Sequence, residues 1–284
     1  MQIINSIFLT AAVNDWLATS QQPRILHVFD HACNLINEHK DVLSIVPPQI
    51  GNGPFNLVID NVLFSDTLNI QSLVSNSPNH LNLGDLTINT EGTKLWLPHP
   101  DWKRLHARKD DILNQLTKLP MIAEHPFGTN YQLPISQLST SLTSALTNAD
   151  IPSSLTAVRK LAGLGIGLTP AGDDFILGAV LAAWIIHPLE IVSALAKEIA
   201  NTAVPLTTSL SAAWLKSAGN GEAGILWHEF FDSLLNSDSV CIQTAADKIL
   251  AVGETSGADA LAGFIGAFTS YAERETDYVI PKHF

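Results

Sequence analysis

A glycine-rich stretch followed by two aspartates is the part of this sequence best suited to chemistry. Residues 163–174 read GLGIGLTPAGDD and lead directly into an apolar segment. Glycine adopts positive φ and lets a ligand approach the backbone, and N–H groups at the start of a helix bind anions. The stretch therefore predicts a ligand-binding loop. Its candidate ligand-binding residues are Gly163, Gly165, Gly167, Thr169 and Gly172.

Ordinary helix capping is the competing interpretation of the same residues. Thr169 is a suitable N-cap, Pro170 suits the first helical position, and Asp173 and Asp174 suit the first turn, where the helix dipole favours carboxylates. Capping of this kind is worth roughly 1 kcal/mol for each residue, but it does not explain four glycines. The pattern therefore favours a ligand loop.

The two common phosphate-binding glycine motifs do not fit this loop. A Walker loop needs a Lys after its last Gly, and the segment before a dinucleotide-binding loop is a strand, whereas LTAVRKLAG is helical in pattern. Two carboxylates about 4 Å from a phosphate would also repel it by several kcal/mol each at an effective dielectric constant near 20. Either Mg²⁺ bound by Asp173 and Asp174, or a substrate whose amide or urea N–H groups bond to them, would remove that repulsion.

A second patch of hydroxyl groups lies at residues 205–211, PLTTSLS, before another helical segment. Thr208 and Ser209 are candidate ligand-binding residues in this patch. Hydroxyls at a helix start also cap the helix, and capping is slightly favoured over ligand binding here.

An internal similarity adds one more candidate residue. Residues 167–178 resemble residues 253–263 if one residue is skipped, which matches Asp174 with Asp259. The other matched pairs are Thr169 with Thr255, Gly172 with Gly257 and Gly178 with Gly263. Two helices that begin alike and approach closely through small residues would explain this, and so would chance combined with ordinary capping. Asp259 is therefore a candidate ligand-binding residue.

The elements that position these residues indicate an α+β protein, with a β-rich domain at residues 1–105 and a mainly helical domain at residues 106–284. Strand-like runs end at turn signals in the first part, and longer runs with helical spacing fill the second. The predicted strands are 43–46, 55–59, 81–89 and 93–97. The predicted helices are 104–119, 138–149, 153–164, 173–186, 189–204 and 259–275.

Composition narrows the classes of ligand and location. The 284 residues carry 15 basic against 27 acidic side chains, a net charge of −12, which disfavours binding to nucleic acid or an anionic membrane. Phe175–Ile186 is too short an apolar run to span a bilayer and predicts a buried core helix. Two distant cysteines, with no CxxC pair and no secretory leader, indicate a cytoplasmic protein that binds small molecules.

The loop also carries a resemblance to a known family. GLGIGLTPAGDDFILGAVLA resembles the most specific motif of the bacterial family that includes the AllH-type subunit of oxamate carbamoyltransferase. LHVFDHACNLI and IGNGPFNLVI resemble the N-terminal part of that family, and TTSLSAAWLKSAGNGE resembles its middle helix. The resemblance spans most of the chain.

This resemblance implies a transferase subunit in ureide (allantoin) degradation, a part of purine catabolism. The implied reaction converts oxalurate and phosphate to oxamate and carbamoyl phosphate, together with other kinds of subunit. It also implies that Asp173 and Asp174 are the catalytic residues of a site formed by the glycine loop. A non-catalytic subunit that binds a ligand or supports assembly is the alternative from a different class.

Overall fold

The computed structural model describes residues 2–77, 79–117, 133–236 and 238–279. The chain divides into two compact units, Met1–Pro98 and His99–Phe284. Strands dominate the first unit and helices the second, so the predicted α+β class is confirmed. Within the described ranges, no helix is both long and apolar enough to cross a bilayer.

The first unit is built on a mixed β-sheet. Its strands are β1 (Gln2–Leu9), β2 (Arg24–Val28), β3 (Cys33–Ile36), β4 (Val42–Val46), β5 (Asn56–Ile59), β6 (Val74–Ser77), β7 (His80–Leu83), β8 (Leu86–Asn89) and β9 (Lys94–Leu95). Across the described residues their order is β2-β3-β4-β5-β1-β8-β7-β6, with β9 paired to β1. The pairs β1–β8, β1–β9 and β4–β5 are parallel. Two helices, α1 (Ala11–Thr19) and α2 (Phe64–Thr67), complete the unit.

The alternating run 81–89 forms two strands of a hairpin. Leu81 pairs with Ile88 and Leu83 with Leu86, and all four side chains are buried. Gly84 has a φ of +55° between the two strands, a conformation that glycine adopts without strain. The period of two therefore predicted the buried face correctly, and the glycine marks the turn.

Helices make up the described part of the second unit. They are α3 (Trp102–Ala107), α4 (Lys109–Leu116), α5 (Leu133–Thr147), α6 (Ile151–Leu161), α7 (Ala171–Ile186), α8 (Leu189–Ala203), α9 (Ser209–Gly219), α10 (Ile225–Asn236), α11 (Ser239–Leu250) and α12 (Ser256–Val279). The predicted helix 104–119 is divided at Arg108 into α3 and α4, and its residues 118–119 lie outside the described residues. The predicted strand 93–97 was too long, because only Lys94–Leu95 pairs with β1.

Helix α7 lies at the centre of the second unit. Every residue of this helix is buried except Asp174, which confirms the predicted core helix. A helix that is apolar on all sides is covered on all sides, and the one residue of this helix that is partly exposed is an aspartate. Helix α12 packs directly on α7, and glycines lie at the contact: a Cβ atom on Gly178 would be 1.7 Å from the Ala260 carbonyl oxygen. The predicted close approach of the two helices is confirmed.

Candidate functional site

The glycine loop joins α6 to α7 and occupies residues 162–170. Gly163, Gly165 and Gly167 have φ values of +73°, +125° and +97°. Side chains other than glycine adopt this region at a cost, so the predicted need for glycine at these three positions is confirmed. The helical pattern predicted for the segment before the loop is also confirmed by α6.

The glycines differ in what surrounds them. A Cβ atom on Gly163 would be 2.4 Å from the Leu206 carbonyl oxygen, and one on Gly172 would be 2.1 Å from the Leu161 carbonyl oxygen. Close packing against the chain therefore explains Gly163 and Gly172. At Gly167 nothing lies within 4 Å of the added atom. This position combines a positive φ with open space, which is where a ligand can reach the backbone.

The tip of the loop faces solvent. Gly165, Ile166 and Gly167 are exposed, and the Ile166 side chain is 96% exposed. Among the described residues, none accepts a hydrogen bond from the backbone N–H groups of these three. The N–H of Gly163, in contrast, bonds to Oδ1 of Asp173 at 2.8 Å. The loop therefore offers a short run of free N–H donors next to a helix start, an arrangement that suits an anion.

The helix start differs from the sequence prediction by one residue. Thr169 was predicted to cap α7, but the capping position is Pro170, which has no side-chain hydrogen bond to offer. The Pro170 carbonyl oxygen accepts hydrogen bonds from the N–H groups of Asp173 and Asp174. The Thr169 hydroxyl instead lies 2.8 Å from the hydroxyl of Ser256, the first residue of α12. The N-cap prediction for Thr169 is therefore wrong, because a partner 87 residues away holds this side chain.

Asp173 is 1% exposed, and both of its carboxyl oxygens are bonded to the protein. Oδ1 accepts the Gly163 N–H, and Oδ2 accepts the hydroxyls of Ser211, at 2.9 Å, and Thr207. Burial raises the pKa of Asp173, and the bonds from Thr207, Gly163 and Ser211 offset part of that increase. This carboxyl group therefore ties the glycine loop to the start of α9.

Thr208 is the N-cap of α9, so the capping interpretation is confirmed for this residue. Its hydroxyl accepts the Ser211 N–H at 3.2 Å and donates to the Leu168 carbonyl oxygen at 2.5 Å. Ser209 is the first residue of the helix and is partly exposed. Ligand binding by Thr208 and Ser209 stays a prediction.

Asp174 and Asp259 form a pair of carboxyl groups at the starts of α7 and α12. Oδ2 of each is buried and, within the described chain, has no hydrogen-bond partner. Such an atom is costly unless the group is protonated or a ligand supplies the missing partner. The Asp259 carboxylate is close enough to raise the pKa of Asp174, so the two aspartates that the internal similarity matched lie near each other.

Burial sets the charge of this pair. The pKa of Asp174 is raised to about 8, mainly by burial and also by the Asp259 and Asp173 carboxylates, whereas the hydroxyls of Ser256 and Thr169 offset part of the increase. Burial also raises the pKa of Asp259 to about 6, against a smaller opposing effect of the Thr255 hydroxyl. Near neutral pH the pair therefore keeps a proton, with Asp174 as its main holder.

The two helix starts share a local structure. Gly172 donates its N–H to the Leu164 carbonyl, as Gly257 does to the Val252 carbonyl. A Cβ atom on Gly257 would be 1.8 Å from the Ile249 carbonyl oxygen, which matches the 2.1 Å found at Gly172. The interpretation of two helices that begin alike is confirmed. The backbone bonds, however, align Thr255 with Pro170 and not with Thr169, because their carbonyls accept the N–H groups of Asp259 and Asp174.

Ser256 is the residue of this site that the sequence did not reveal. It aligns with Ala171, the first residue of α7, so the internal similarity drew no attention to it. Its contact with Thr169 depends on the tertiary structure. The only local signal was a hydroxyl residue at the start of a predicted helix, which capping explains equally well.

The predicted magnesium ligands are only partly available. Both oxygens of Asp173 already accept hydrogen bonds, which leaves Asp174 and Asp259 as the carboxyl groups with free oxygens. In the part of the chain that the structure describes, no three His, Cys, Asp or Glu side chains are grouped to hold a metal ion. Magnesium binding stays a prediction.

Gly167→Ala tests whether the loop tip binds an anion. We expect a stability loss of about 1–2 kcal/mol from the positive φ and at least about 10-fold weaker phosphate binding, measured by denaturation and calorimetry. Gly92→Ala is a matched control, because Gly92 has a φ of +70° and open space but lies in the other unit. Equal phosphate binding by Gly167→Ala and wild type would exclude the loop tip as the anion site.

Two family models match the chain. Residues 161–268 match the family described as oxamate carbamoyltransferase subunit AllH, and residues 6–111 match the AllH family N-terminal domain. The first match includes the whole glycine loop and both aspartates of the pair. No solved structure matches the chain significantly. The chain belongs to the AllH family of oxamate carbamoyltransferase subunits.

Proposed function

We propose that this chain supplies the substrate site of an oxamate carbamoyltransferase. The reaction would convert oxalurate and phosphate to oxamate and carbamoyl phosphate in allantoin degradation, in the cytoplasm and together with other subunits. Membership of the AllH family supports the enzyme class. The local geometry supports the part of the reaction that falls to this chain.

One observation carries the proposal. Asp174 and Asp259 each have a buried carboxyl oxygen with no partner among the described residues, and Asp174 lies beside Thr169 and Ser256, which bond to each other at the end of the glycine loop. At the tip of that loop, no described residue accepts a hydrogen bond from the N–H groups. Oxalurate has a carboxylate at one end and ureido N–H groups at the other. The loop N–H groups at residues 165–167 suit the phosphate anion, and the carboxyl pair suits the ureido N–H groups of oxalurate. Donors and acceptors of the site thus complement those of the substrates.

The raised pKa values reduce the repulsion between the carboxyl groups and the anionic substrates. Two ionised aspartates would each oppose a nearby phosphate by several kcal/mol, at roughly 4 Å and a dielectric constant near 20. With the pKa of Asp174 raised to about 8 by burial, this group is mostly uncharged at neutral pH. A protonated carboxyl can also donate a hydrogen bond to the carbamoyl oxygen, which makes its carbon a better electrophile.

The proton balance gives the Asp174 carboxyl group a second role. When a phosphate oxygen attacks the carbamoyl carbon, the bond from that carbon to the oxamate nitrogen breaks. Hydrogen phosphate loses one proton and the leaving nitrogen gains one. A carboxyl group with a pKa near the working pH can give its proton to the nitrogen and recover one from the phosphate. Asp173 would hold the loop in place, since its oxygens are already bonded.

Calorimetry tests the proposed function directly. The chain, alone and with its partner subunits, would be titrated with phosphate, oxalurate and carbamoyl phosphate, each with and without Mg²⁺. We expect binding of phosphate or oxalurate by wild type that is weakened at least about 10-fold in Asp174→Asn. A Mg²⁺ requirement that Asp174→Asn removes would add a metal to the site. If the complete set of subunits turns over oxalurate but this chain binds no substrate, the site lies elsewhere and the proposal is wrong.

A further inference from the structure

A hydrogen bond between side chains joins the glycine loop to the start of α12. Oγ1 of Thr169, at the end of the glycine loop, lies 2.8 Å from Oγ of Ser256, at the start of α12. The bond is partly buried and connects residues that are 87 positions apart. It therefore fixes the glycine loop against the helix that carries Asp259.

The internal similarity shows that the Ser256 hydroxyl is not needed to start a helix. Ala171 begins α7 at the position that Ser256 holds in α12, and α7 forms without a side-chain cap. The two halves also differ in their loops, which occupy residues 162–170 and 251–255. The Thr169–Ser256 bond thus connects the two similar helix starts to each other. A role of Ser256 in starting α12 alone does not explain this bond.

Both ends of the bond lead to groups suited to a ligand. Thr169 follows the loop tip at residues 165–167, whose N–H groups bond to none of the residues that the structure describes. Ser256 lies three residues before Asp259, so the two side chains project from the same side of α12. Asp259 is 6% exposed, and its Oδ2 has no hydrogen-bond partner among the described residues. This buried, unpartnered oxygen is independent of the loop and itself points to a ligand.

We propose that Ser256 is a positioning residue of the transferase site, whose bond to Thr169 sets the separation between the anion-binding loop and the Asp174–Asp259 pair. The inference rests on the proposed function. Phosphate held by the loop must reach the carbamoyl carbon of a substrate held by the carboxyl pair. A displacement of about 1 Å between two such half-sites is enough to cost on the order of 100-fold in rate. Ser256 would therefore affect turnover more than binding.

The test separates kcat from KM in the assembled enzyme. We expect Ser256→Ala to lower kcat by about 10- to 100-fold and to change the KM for phosphate by less than about 3-fold, because the loop itself is intact. Ser256→Thr keeps the hydroxyl and should restore kcat to within about 3-fold of wild type. Ser239→Ala is the matched control, since Ser239 also begins a helix but is exposed and lies outside the site.

A double-mutant cycle with Thr169→Val distinguishes positioning from a general structural effect. If the bond is the cause, Thr169→Val should reproduce the kcat loss, and the double variant should be no slower than the slower single variant. The inference would be overturned if the kcat loss of the double variant equals the product of the two single losses. A normal kcat in Ser256→Ala would also overturn it. Should Ser256→Ala fail to fold, Thr169→Val and Ser256→Thr still decide the question.

Failure of the proposed function gives a different result. In that case the wild-type chain itself neither binds phosphate nor contributes to turnover, so the loss of activity is present before Ser256 is replaced. If wild type binds phosphate and supports turnover while Ser256→Ala and Thr169→Val match it in kcat, the proposed function stands and the role of Ser256 is wrong.

Discussion

Asp174→Asn is expected to abolish turnover while making the folded chain more stable at alkaline pH. Turnover should fall by at least about 1,000-fold, because the side chain loses its titratable proton. Burial raises the pKa of Asp174 to about 8 from an ordinary value of 3.8. The folded state thus binds a proton more tightly than the unfolded chain. The stability that this proton contributes is complete below about pH 4 and is lost as the pH rises to about 8.

The expected stability gain of Asp174→Asn follows from the upward shift of the Asp174 pKa on folding. In wild type the free energy of unfolding should fall between pH 5 and pH 8, at up to about 1.4 kcal/mol for each pH unit. The amide introduced by Asp174→Asn does not titrate, so the variant should show a flatter profile and be more stable than wild type at pH 8 by roughly 2 kcal/mol. Asp259 adds a smaller fall that ends near pH 6. Urea denaturation at pH 5 and pH 8 measures both slopes.

Asp232→Asn is the control for the loss of one negative charge. Asp232 lies on α10 and is exposed, so its replacement should leave turnover unchanged. Two results would contradict the argument: a wild-type stability that does not decrease from pH 5 to pH 8, or Asp174→Asn with normal turnover. The first would show that the carboxyl group is not buried in a protonated form. The second would exclude it from the proton transfer.

A gain in stability with a loss of activity is typical of a functional site. A buried oxygen without a hydrogen-bond partner costs free energy in a folded protein, and within the described ranges Asp174 and Asp259 each have one. Replacing such a group improves the folded state but removes its chemistry. Stability and turnover measured together therefore distinguish a site residue from a structural one, since replacing a structural residue would lower both stability and turnover.

The sequence predicted the features that depend on residue type within a short segment. The positive φ values at Gly163, Gly165 and Gly167 follow from glycine itself, and the buried helix α7 follows from an apolar run without a polar face. The alternating run at 81–89 likewise predicted which side chains of β7 and β8 are buried. In these cases the neighbours along the chain determine the outcome.

Features that depend on distant partners were not predicted. Thr169 has the type and place of an N-cap, and only its contact with Ser256 explains why it does not cap α7. The parallel pairing of β1 with β8 joins segments more than 80 residues apart, and no local pattern encodes it. The full bonding of Asp173 also depends on Thr207 and Ser211 of another helix start. The sequence could therefore place Asp173 and Asp174 in the candidate site, but it could not predict that only Asp173 has both oxygens bonded to the described chain.

The internal repeat is the exception, because it carried long-range information. The match of Gly178 with Gly263 and of Asp174 with Asp259 predicted two similar helices with close contact. In the structure the glycines let α7 and α12 cross at backbone distance, which brings the starts of both helices and their aspartates together. The close packing of α7 and α12 thus also places the two aspartates of the proposed site near each other.

Gly178→Ala and Gly263→Ala are expected to destabilise the second unit severely. An added Cβ on Gly178 would be 1.7 Å from the Ala260 carbonyl oxygen, and one on Gly263 would be 2.0 Å from the Phe175 carbonyl oxygen. Both neighbours are helix backbone, so neither can turn away as a side chain could. We expect each variant to lose at least about 3 kcal/mol of unfolding free energy, well above the roughly 1 kcal/mol that alanine gains in helix propensity.

Gly266→Ala separates this steric effect from the general effect of alanine in a helix. Gly266 lies on α12 one turn beyond Gly263, but its added Cβ would meet only side-chain atoms, at 3.4 Å from Thr143 and 3.8 Å from Phe175. This variant should stay within about 1 kcal/mol of wild type in urea denaturation. If Gly178→Ala is as stable as Gly266→Ala, α7 and α12 do not cross at backbone distance. The Asp174–Asp259 pair would then lose the contact on which the site depends, so the same measurement also bears on the chemistry.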